Sequence, residues 1–317
     1  MRAVAVNKTG DLPELMELPV PRPGPGEVLI ELAAASVNPI DLGIAQGNFG
    51  GSMPHVYPVV LGVDGAGQVS QVGDGVRELQ PGDFVHGQFL RAPLGYGTFA
   101  QYTVVTEHPG NGALQRVPKG LPADVAAALP TAGMTALGAL DSIGLRAGQS
   151  ILIVGATGGV GVFAVQLAAA RGAEVIATAR PDADAWIRSL GATRTLDYSA
   201  GDVAELAYKT DSTGVDAVLD LSRDPERFAR LAALVRDGGT AASVTFTASP
   251  ELLASERITV SNYMMQDKPD LLRRITAEAA AGKITVPIQR SLTLEQIPEA
   301  LARTVAGGAR GKTTVRI

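Results

Sequence analysis

The chain has 317 residues, a formal net charge of -5 and a pI of about 5.3, and it contains no cysteine. The length suits two domains with ample buried core, and the acidic balance leaves no basic stripe for nucleic acid. Without cysteine there is no disulfide framework, no thiolate nucleophile and no cysteine-based zinc site.

The N-terminal part, up to about residue 120, is predicted to be a compact β structure. Residues 1–7 lack the long apolar core of a signal peptide, so we expect a cytoplasmic protein. Short apolar or alternating runs, such as 28–35 and 68–72, are separated by glycine and proline clusters, such as 21–26 and 81–83. Many short strands with this punctuation favour a β domain.

A long uncharged segment lies between Arg146 and Arg171 and contains 24 residues. A strand-like run breaks into glycines and continues as an alanine-rich stretch that suits a helix. The glycines follow the spacing GxxGxxG and are Gly155, Gly158, Gly159 and Gly161. Such a strand, turn and helix bind a dinucleotide, because the pyrophosphate lies against backbone N–H groups at a helix N-terminus. A membrane helix could also be this long, but the strand-like run at 174–178 follows too closely, so we predict no membrane span.

From about residue 121 the pattern alternates between helix and strand. Predicted strands lie at 174–178, 215–220, 240–246 and 257–264. Predicted helices lie at 162–170, 183–190, 225–236 and 269–281. This alternation predicts an α/β fold with a doubly wound parallel sheet.

The end of the second strand of this sheet indicates which nicotinamide cofactor binds. An NAD site places an acid there for the ribose 2′-OH, whereas an NADP site offers an arginine to the 2′-phosphate. Here Arg180 follows the strand, with no carboxylate before it. Its planar guanidinium can bond two phosphate oxygens, which favours NADPH, although Asp182 and Asp184 could neutralise it.

Short motifs occur in a characteristic order along nearly the whole chain. They are ASVNPID at 35–41, LGVDGAG at 61–67, VGDGV at 72–76, PGD at 81–83, GMTA at 133–136 and GK at 311–312. With the glycine turn, they resemble the medium-chain dehydrogenase/reductases, and most closely the zeta-crystallin-like NADPH:quinone oxidoreductases. The resemblance implies a GroES-like β barrel at 1–120 and 283–317, a Rossmann domain at 121–282 and an active-site cleft between them. It also implies a homodimer paired through the strand near 257–263.

The resemblance identifies the positions at which alcohol dehydrogenases of this family ligate catalytic zinc. Those positions are Asn38, Val63 and Thr131 in this chain, and none is a good zinc ligand. The segment of four cysteines that binds structural zinc is missing as well, and the three histidines are scattered. We therefore expect no metal.

The resemblance also suggests the site residues. It places Asn38 and Asp41, the predicted catalytic residues, near the nicotinamide and the substrate, where the Asn38 amide could donate to either and Asp41 would order the loop. It places Thr135 against the cofactor and Tyr198 beside the adenosine phosphate. The predicted cofactor-binding residues are Thr135, Gly155, Thr157, Gly158, Gly159, Val160, Gly161, Thr178, Arg180 and Tyr198.

Without a Lewis acid, the reaction must suit a substrate that accepts hydride readily. A quinone or an activated enone delocalises the incoming charge, whereas a simple ketone normally needs a metal or an acid. The sequence thus predicts a zinc-independent, NADPH-dependent quinone oxidoreductase. Two alternatives stay open, an enoyl-thioester or 2-alkenal reductase and a nucleotide-binding module without turnover.

Overall fold

The computed structural model describes residues 1–48, 51, 53–210, 212–303 and 308–317. Two compact units make up the chain, the first comprising Met1–Ala132 and Asp267–Ile317 and the second Gly133–Gln266. The first unit is therefore discontinuous in sequence, and the second is a single stretch.

Among the residues that the structure describes, eight strands and two helices precede the second unit, and a third helix leads into it. They are β1 (Arg2–Val6), β2 (Glu14–Glu17), β3 (Glu27–Val37), α1 (Pro39–Ala45), β4 (Val59–Val60), β5 (Asp64–Val72), β6 (Phe84–Gln88), β7 (Tyr102–Thr106), β8 (Ala113–Arg116), α2 (Ala123–Ala128) and α3 (Pro130–Ile143). β1 is the middle strand of a small antiparallel sheet with β2 and β4. β3 pairs antiparallel with both β5 and β7, which makes this long strand the centre of the larger sheet.

The second unit is a six-stranded sheet in which every strand pair is parallel. Its elements are β9 (Ser150–Val154), α4 (Gly161–Ala170), β10 (Glu174–Thr178), α5 (Asp184–Ser189), β11 (Arg194–Leu196), α6 (Val203–Thr210), β12 (Val215–Asp220), α7 (Pro225–Ala233), β13 (Val235–Ser243), α8 (Pro250–Leu253) and β14 (Thr259–Asn262). The strand order is β11-β10-β9-β12-β13-β14. This doubly wound order confirms the predicted α/β class, and β9 is buried throughout because helices cover both faces of such a sheet.

Three predicted boundaries around β13 are wrong, and one of them is the start of the strand, which lies at Val235 rather than at residue 240. The helix expected over 225–236 ends at Ala233, because Val235 already pairs with Val215 of β12. The strand expected over 240–246 ends at Ser243, and Phe246 beyond it has a left-handed φ of 61°. β-Branched residues at 244–245 continue the strand pattern in sequence, but the backbone turns away from the sheet there.

The chain returns to the first unit through α9 (Lys268–Ala280), β15 (Ile288–Leu292), α10 (Ile297–Arg303) and β16 (Lys312–Arg316). β16 pairs antiparallel with β3, placing Thr314 opposite Ser36, and β15 pairs parallel with β16. The large sheet thereby has the order β15-β16-β3-β5-β6-β8, with β7 also paired to β3.

Helices α2 and α9 extend the first unit beyond the sequence-based boundaries at residues 120 and 282. Ala126 and Ala127 of α2 pack on Ala34 of β3 and Ala66 of β5. Helix α9 packs on β8. In the part of the chain that the structure describes, no helix combines the length and the apolar character needed to cross a bilayer.

Candidate active site

The glycine turn follows β9 in the second unit and has the tight geometry that a dinucleotide site requires. Gly155 adopts a φ of +82°, which disfavours other residues. A Cβ on Gly161 would lie 2.3 Å from the carbonyl oxygen of Gly155 and 2.5 Å from that of Ala156. Only glycine fits at position 161, so α4 begins directly against the turn. A helix N-terminus in this position is where a phosphate binds in dinucleotide sites.

Three of the other predicted cofactor-binding residues lie in the turn or bond to it. Thr157 and Val160 are half-buried in the turn itself. Thr178, at the end of β10, accepts a hydrogen bond from the Gly155 N–H through Oγ1 at 3.0 Å. Thr178 is itself buried, and its hydrogen bond fixes the position of the turn. Thr135 lies half-buried on α3.

An arginine and a tyrosine form an exposed pair beyond the ends of β10 and β11. The guanidinium of Arg180 lies over the ring of Tyr198, 5.6 Å from its centroid. Asp184, which could have neutralised Arg180, instead bonds Arg188 at 3.1 Å and also bonds Thr195. The hydrogen bond from Thr195 and then the bonds from Arg188 lower the pKa of Asp184, so this carboxylate is engaged elsewhere.

The first unit contains a buried polar cluster built on Asn38 and Asp41. Asn38 precedes α1, and its backbone N–H donates to Asp41 Oδ2 at 2.7 Å. Asp41 Oδ1 accepts the N–H of Val63 at 3.0 Å. The Asn38 amide donates to Ser36 O at 3.2 Å and to Asp64 Oδ2 at 2.9 Å. Both residues are buried, so their polar atoms are directed at the protein.

Asp64 is a second buried carboxylate in this cluster. It accepts the backbone N–H of Thr131 at 3.0 Å and the Thr131 hydroxyl at 2.7 Å, in addition to the Asn38 amide. Burial raises the pKa of Asp64, and Lys312 and Thr131 oppose that shift. Burial also raises the pKa of Asp41 to about 8. Burial therefore favours the protonated form of each carboxyl group, and the nearby donors and the cation oppose it.

Lys312 supplies the buried positive charge. Its side chain is 2% exposed and donates from Nζ to Asn38 Oδ1 at 2.6 Å and to Val37 O at 3.3 Å. Burial lowers the pKa of Lys312, while the charges of Asp64 and Asp41 raise it. Two carboxylates and one ammonium are thus grouped around the Asn38 amide.

The cluster continues from Thr131 toward α9. Gln88 donates from Nε2 to Thr131 Oγ1 at 2.8 Å and accepts from Lys268 Nζ at 2.9 Å. Lys268 also donates to the carbonyl of Asn111 at 2.5 Å. Sequence reasoning missed Asp64, Gln88 and Lys268 as site residues, although a charged residue inside an apolar run, as at 61–67, was a usable signal.

The three positions that the sequence resemblance matches to zinc ligands, 38, 63 and 131, all bond the carboxylates of this cluster. Asn38 and Thr131 donate to Asp64, and the Val63 N–H donates to Asp41. Their side chains are an amide, a hydroxyl and an isopropyl group, which form a poor donor set for Zn²⁺. Within the described residues, no three His, Cys, Asp or Glu side chains are grouped as a metal site.

A buried histidine joins three elements of the first unit. His86 on β6 lies with Nδ1 at 2.8 Å from the carbonyl of Ala126 and Nε2 at 3.1 Å from the Gln115 amide nitrogen. The carbonyl can only accept and the amide nitrogen can only donate, so Nδ1 carries the proton. Burial lowers the pKa of His86 to about 4, which keeps it neutral.

Comparison with known proteins gives the same architecture in both halves of the chain. Residues 24–113 match the alcohol dehydrogenase GroES-like domain, and residues 190–315 match the zinc-binding dehydrogenase family. The chloroplast envelope quinone oxidoreductase homolog of Arabidopsis thaliana is 32% identical, over 95% of this chain and 93% of the relative. The NADPH-dependent alkenal/one oxidoreductase of the same plant is 29% identical, over 93% and 73%.

A solved structure with the same fold is the quinone oxidoreductase from Coxiella burnetii. It superposes with a TM-score of 0.89 at 27% sequence identity, and the match covers 100% of this chain and 99% of that one. The predicted pairing of a GroES-like domain with a Rossmann domain is confirmed by this match and by the GroES-like family match at residues 24–113.

Proposed function

Since the chain belongs to the medium-chain dehydrogenase/reductases, among the quinone oxidoreductases, we propose that it reduces quinones or activated enones with NADPH and without a metal. The observation that carries the proposal is the glycine turn at Gly161, whose backbone leaves no room for a Cβ. A nicotinamide cofactor bound there supplies a hydride. The acceptor would gain the hydride, which is one hydrogen with two electrons, and one proton from solvent, which gives a hydroquinone or a saturated ketone and the oxidised cofactor.

The proposed preference for NADPH rests on Arg180. It lies at the end of β10 over the Tyr198 ring, and Asp184 is bonded to Arg188 and Thr195. An exposed arginine with a flat aromatic support suits a phosphate that needs two parallel hydrogen bonds.

We propose that turnover needs no zinc, because the residue types at 38, 63 and 131 are poor ligands. The purified protein should contain less than stoichiometric zinc and keep its activity in chelator. One equivalent of metal by elemental analysis, lost together with activity, would contradict this proposal. The match to a zinc-binding dehydrogenase family makes this measurement necessary.

We assign Asn38 and Asp41 to positioning. Both amide hydrogens of Asn38 are donated to Ser36 and Asp64, so a substrate oxygen would have to replace one of these contacts. Asn38→Ala should lower kcat/KM for a quinone by about 5- to 100-fold, with a smaller effect on NADPH affinity. Quinone turnover that is unchanged in this variant would remove Asn38 from the site.

A second candidate function is the reduction of 2-alkenals or enoyl thioesters, which the similarity to an alkenal/one oxidoreductase favours. The test is NADPH consumption against quinones, enals and enoyl thioesters under identical conditions. Fastest turnover of a quinone supports the first function, and fastest turnover of an enal or thioester supports the second. No consumption with any of them would leave a nucleotide-binding module.

We also propose a homodimer and a cytoplasmic location, both from the sequence. β14 is the last strand in the order of its sheet, and the unpaired N–H and C=O groups of an edge strand are bonded when a second copy pairs with it. A monomer mass in light scattering at micromolar concentration would exclude the dimer.

A further inference from the structure

The parallel sheet of the second unit orders the parts of a bound cofactor, and this inference rests on the proposed function. The glycine turn follows β9 and holds the pyrophosphate, and Arg180 follows β10 on one side of it. The nicotinamide half must then extend to the other side, toward β12 and β13. With about 4.8 Å between neighbouring strands, β13 lies roughly 10 Å from the turn, which is where the reacting ring and its acceptor meet.

The end of β12 contains a buried acceptor atom without a partner. Asp220 is fully buried, its Oδ1 accepts the N–H of Ser222 at 2.9 Å, and its Oδ2 has no hydrogen bond within the described residues. A buried acceptor left unbonded is costly. A hydroxyl or amide of the nicotinamide nucleoside would donate a hydrogen bond to this oxygen. The next strand end, that of β13, is then left for the substrate that accepts the hydride.

Phe246 lies three residues beyond the end of β13 in a strained and exposed conformation. Its φ is 61°, which a bulky residue rarely adopts, and 57% of it is exposed. Such a conformation persists only when the surroundings impose it, and strained residues concentrate at functional sites. Burial of the side chain does not explain this strained backbone conformation, because most of the ring faces solvent.

The loop around Phe246 is fixed from both sides. Ser243 Oγ lies 3.2 Å from the backbone nitrogens of both Thr245 and Thr247 and accepts their N–H groups. The Thr245 hydroxyl donates to the carbonyl of Ser222, which ties the loop to β12. Asn262 of β14 bonds both the N–H and the carbonyl of Ala248 at 3.0 Å. The hydrogen bonds therefore hold the Phe246 ring out at this edge of the sheet.

We propose that Phe246 is the platform on which the ring of a quinone lies, and that it makes the enzyme prefer planar ring acceptors to open-chain enals. An aromatic pair adds about 0.5–1.5 kcal/mol beyond burial, which corresponds to roughly 2- to 10-fold in kcat/KM. An open-chain enal offers no ring face and gains little from the platform.

The test compares a naphthoquinone with trans-2-hexenal at saturating NADPH in the parent, in Phe246→Ala and in Phe246→Leu. Both variants should lower kcat/KM for the naphthoquinone about 2- to 10-fold, with the enal and the NADPH dissociation constant changed less than twofold. Tyr208→Ala is the matched control, because Tyr208 is also 57% exposed but lies on α6. Equal losses for both acceptors, or no loss, would overturn the proposal.

Two measurements do not depend on turnover. The redox-inert ring 2-naphthol should bind the parent complex with NADP⁺ more tightly than the Phe246→Ala complex by calorimetry, and equal binding would refute the platform.

Phe246→Gly should melt about 2–4 °C above Phe246→Ala, because glycine accepts the positive φ. Equal melting temperatures would show that the loop relaxes, and a relaxed loop is no platform.

The parent protein separates the two possible failures. Reduction of naphthoquinone by the parent, with Phe246→Ala unimpaired, refutes only the platform. A parent that reduces neither acceptor refutes the proposed function, and the platform falls with it.

Discussion

Replacing Lys312 by methionine removes the only ammonium that the described structure buries between Asp41 and Asp64. Lys312 is 2% exposed and both carboxylates are fully buried, so water cannot replace the lost charge. Removing one partner from a buried ionic group costs about 3–5 kcal/mol. The measurement is the free energy of unfolding in urea. Lys283→Met is the control, because Lys283 is exposed and its ion pair with Glu278 contributes little.

The loss in the free energy of unfolding that Lys312→Met causes should depend on pH. Asp64 loses the cation that lowers its pKa, and Asp41 already has a pKa raised to about 8 by burial. A carboxyl whose folded pKa is raised favours the folded state at low pH, and this contribution is lost as pH rises toward the folded pKa. The variant should therefore be closer to the parent at pH 5 than at pH 8.

A double variant tests whether the two charges act together. Lys312→Met combined with Asp64→Asn should be less destabilised than the sum of the single variants, by about 1–3 kcal/mol, because the unpaired carboxylate is gone. Additive effects, or a deficit that is the same at pH 5 and pH 8, would refute the charge-compensation argument.

Three further predictions concern the cofactor site and the first unit. Arg180→Ala should lower the preference for NADPH over NADH about 10-fold in binding, and equal affinity in the parent would remove the argument. Gly161→Ala should abolish NADPH binding, because its Cβ would meet the Gly155 oxygen at 2.3 Å, whereas Gly201→Ala, whose Cβ would meet no atom within 4 Å, should bind normally in calorimetry. His86 has a pKa lowered to about 4, so its contribution to stability is lost as pH falls from about 6.5 to 4. His86→Gln should reduce that acid loss by roughly 3 kcal/mol in urea unfolding at pH 7 and pH 4, and an unchanged pH dependence would exclude His86 as its source.

The alternation of strands and helices in the second unit allowed several of its strands to be predicted from the sequence. The strands at 174–178 and 215–220 have the predicted bounds, because each is a short apolar run between turn residues. The prediction failed beyond Ser243, where threonine and phenylalanine continue the strand pattern but side-chain hydrogen bonds turn the backbone. Local pattern carries no information about those bonds.

The buried cluster was only partly predictable. Asn38 and Asp41 stand in one motif, so their closeness follows from the sequence. Lys312 bonds Asn38 across 274 residues, and this contact depends on β16 pairing with β3. Neither helix nor strand periodicity could place that partner, because the pairing is set by tertiary packing.

The pairing of β16 with β3 also has a consequence for synthesis on the ribosome. Lys312 follows Val37 by 275 residues, so at about 5–20 residues per second it emerges roughly 14–55 s later. During that interval β3 lacks β16 as a neighbour, and Asp41 and Asp64 lack the ammonium group of Lys312. The second unit, a single stretch, is complete by Gln266 and can fold while the first is still unfinished. Nascent chains that stop before β16 are therefore expected to expose a sheet edge that recruits chaperones or aggregates.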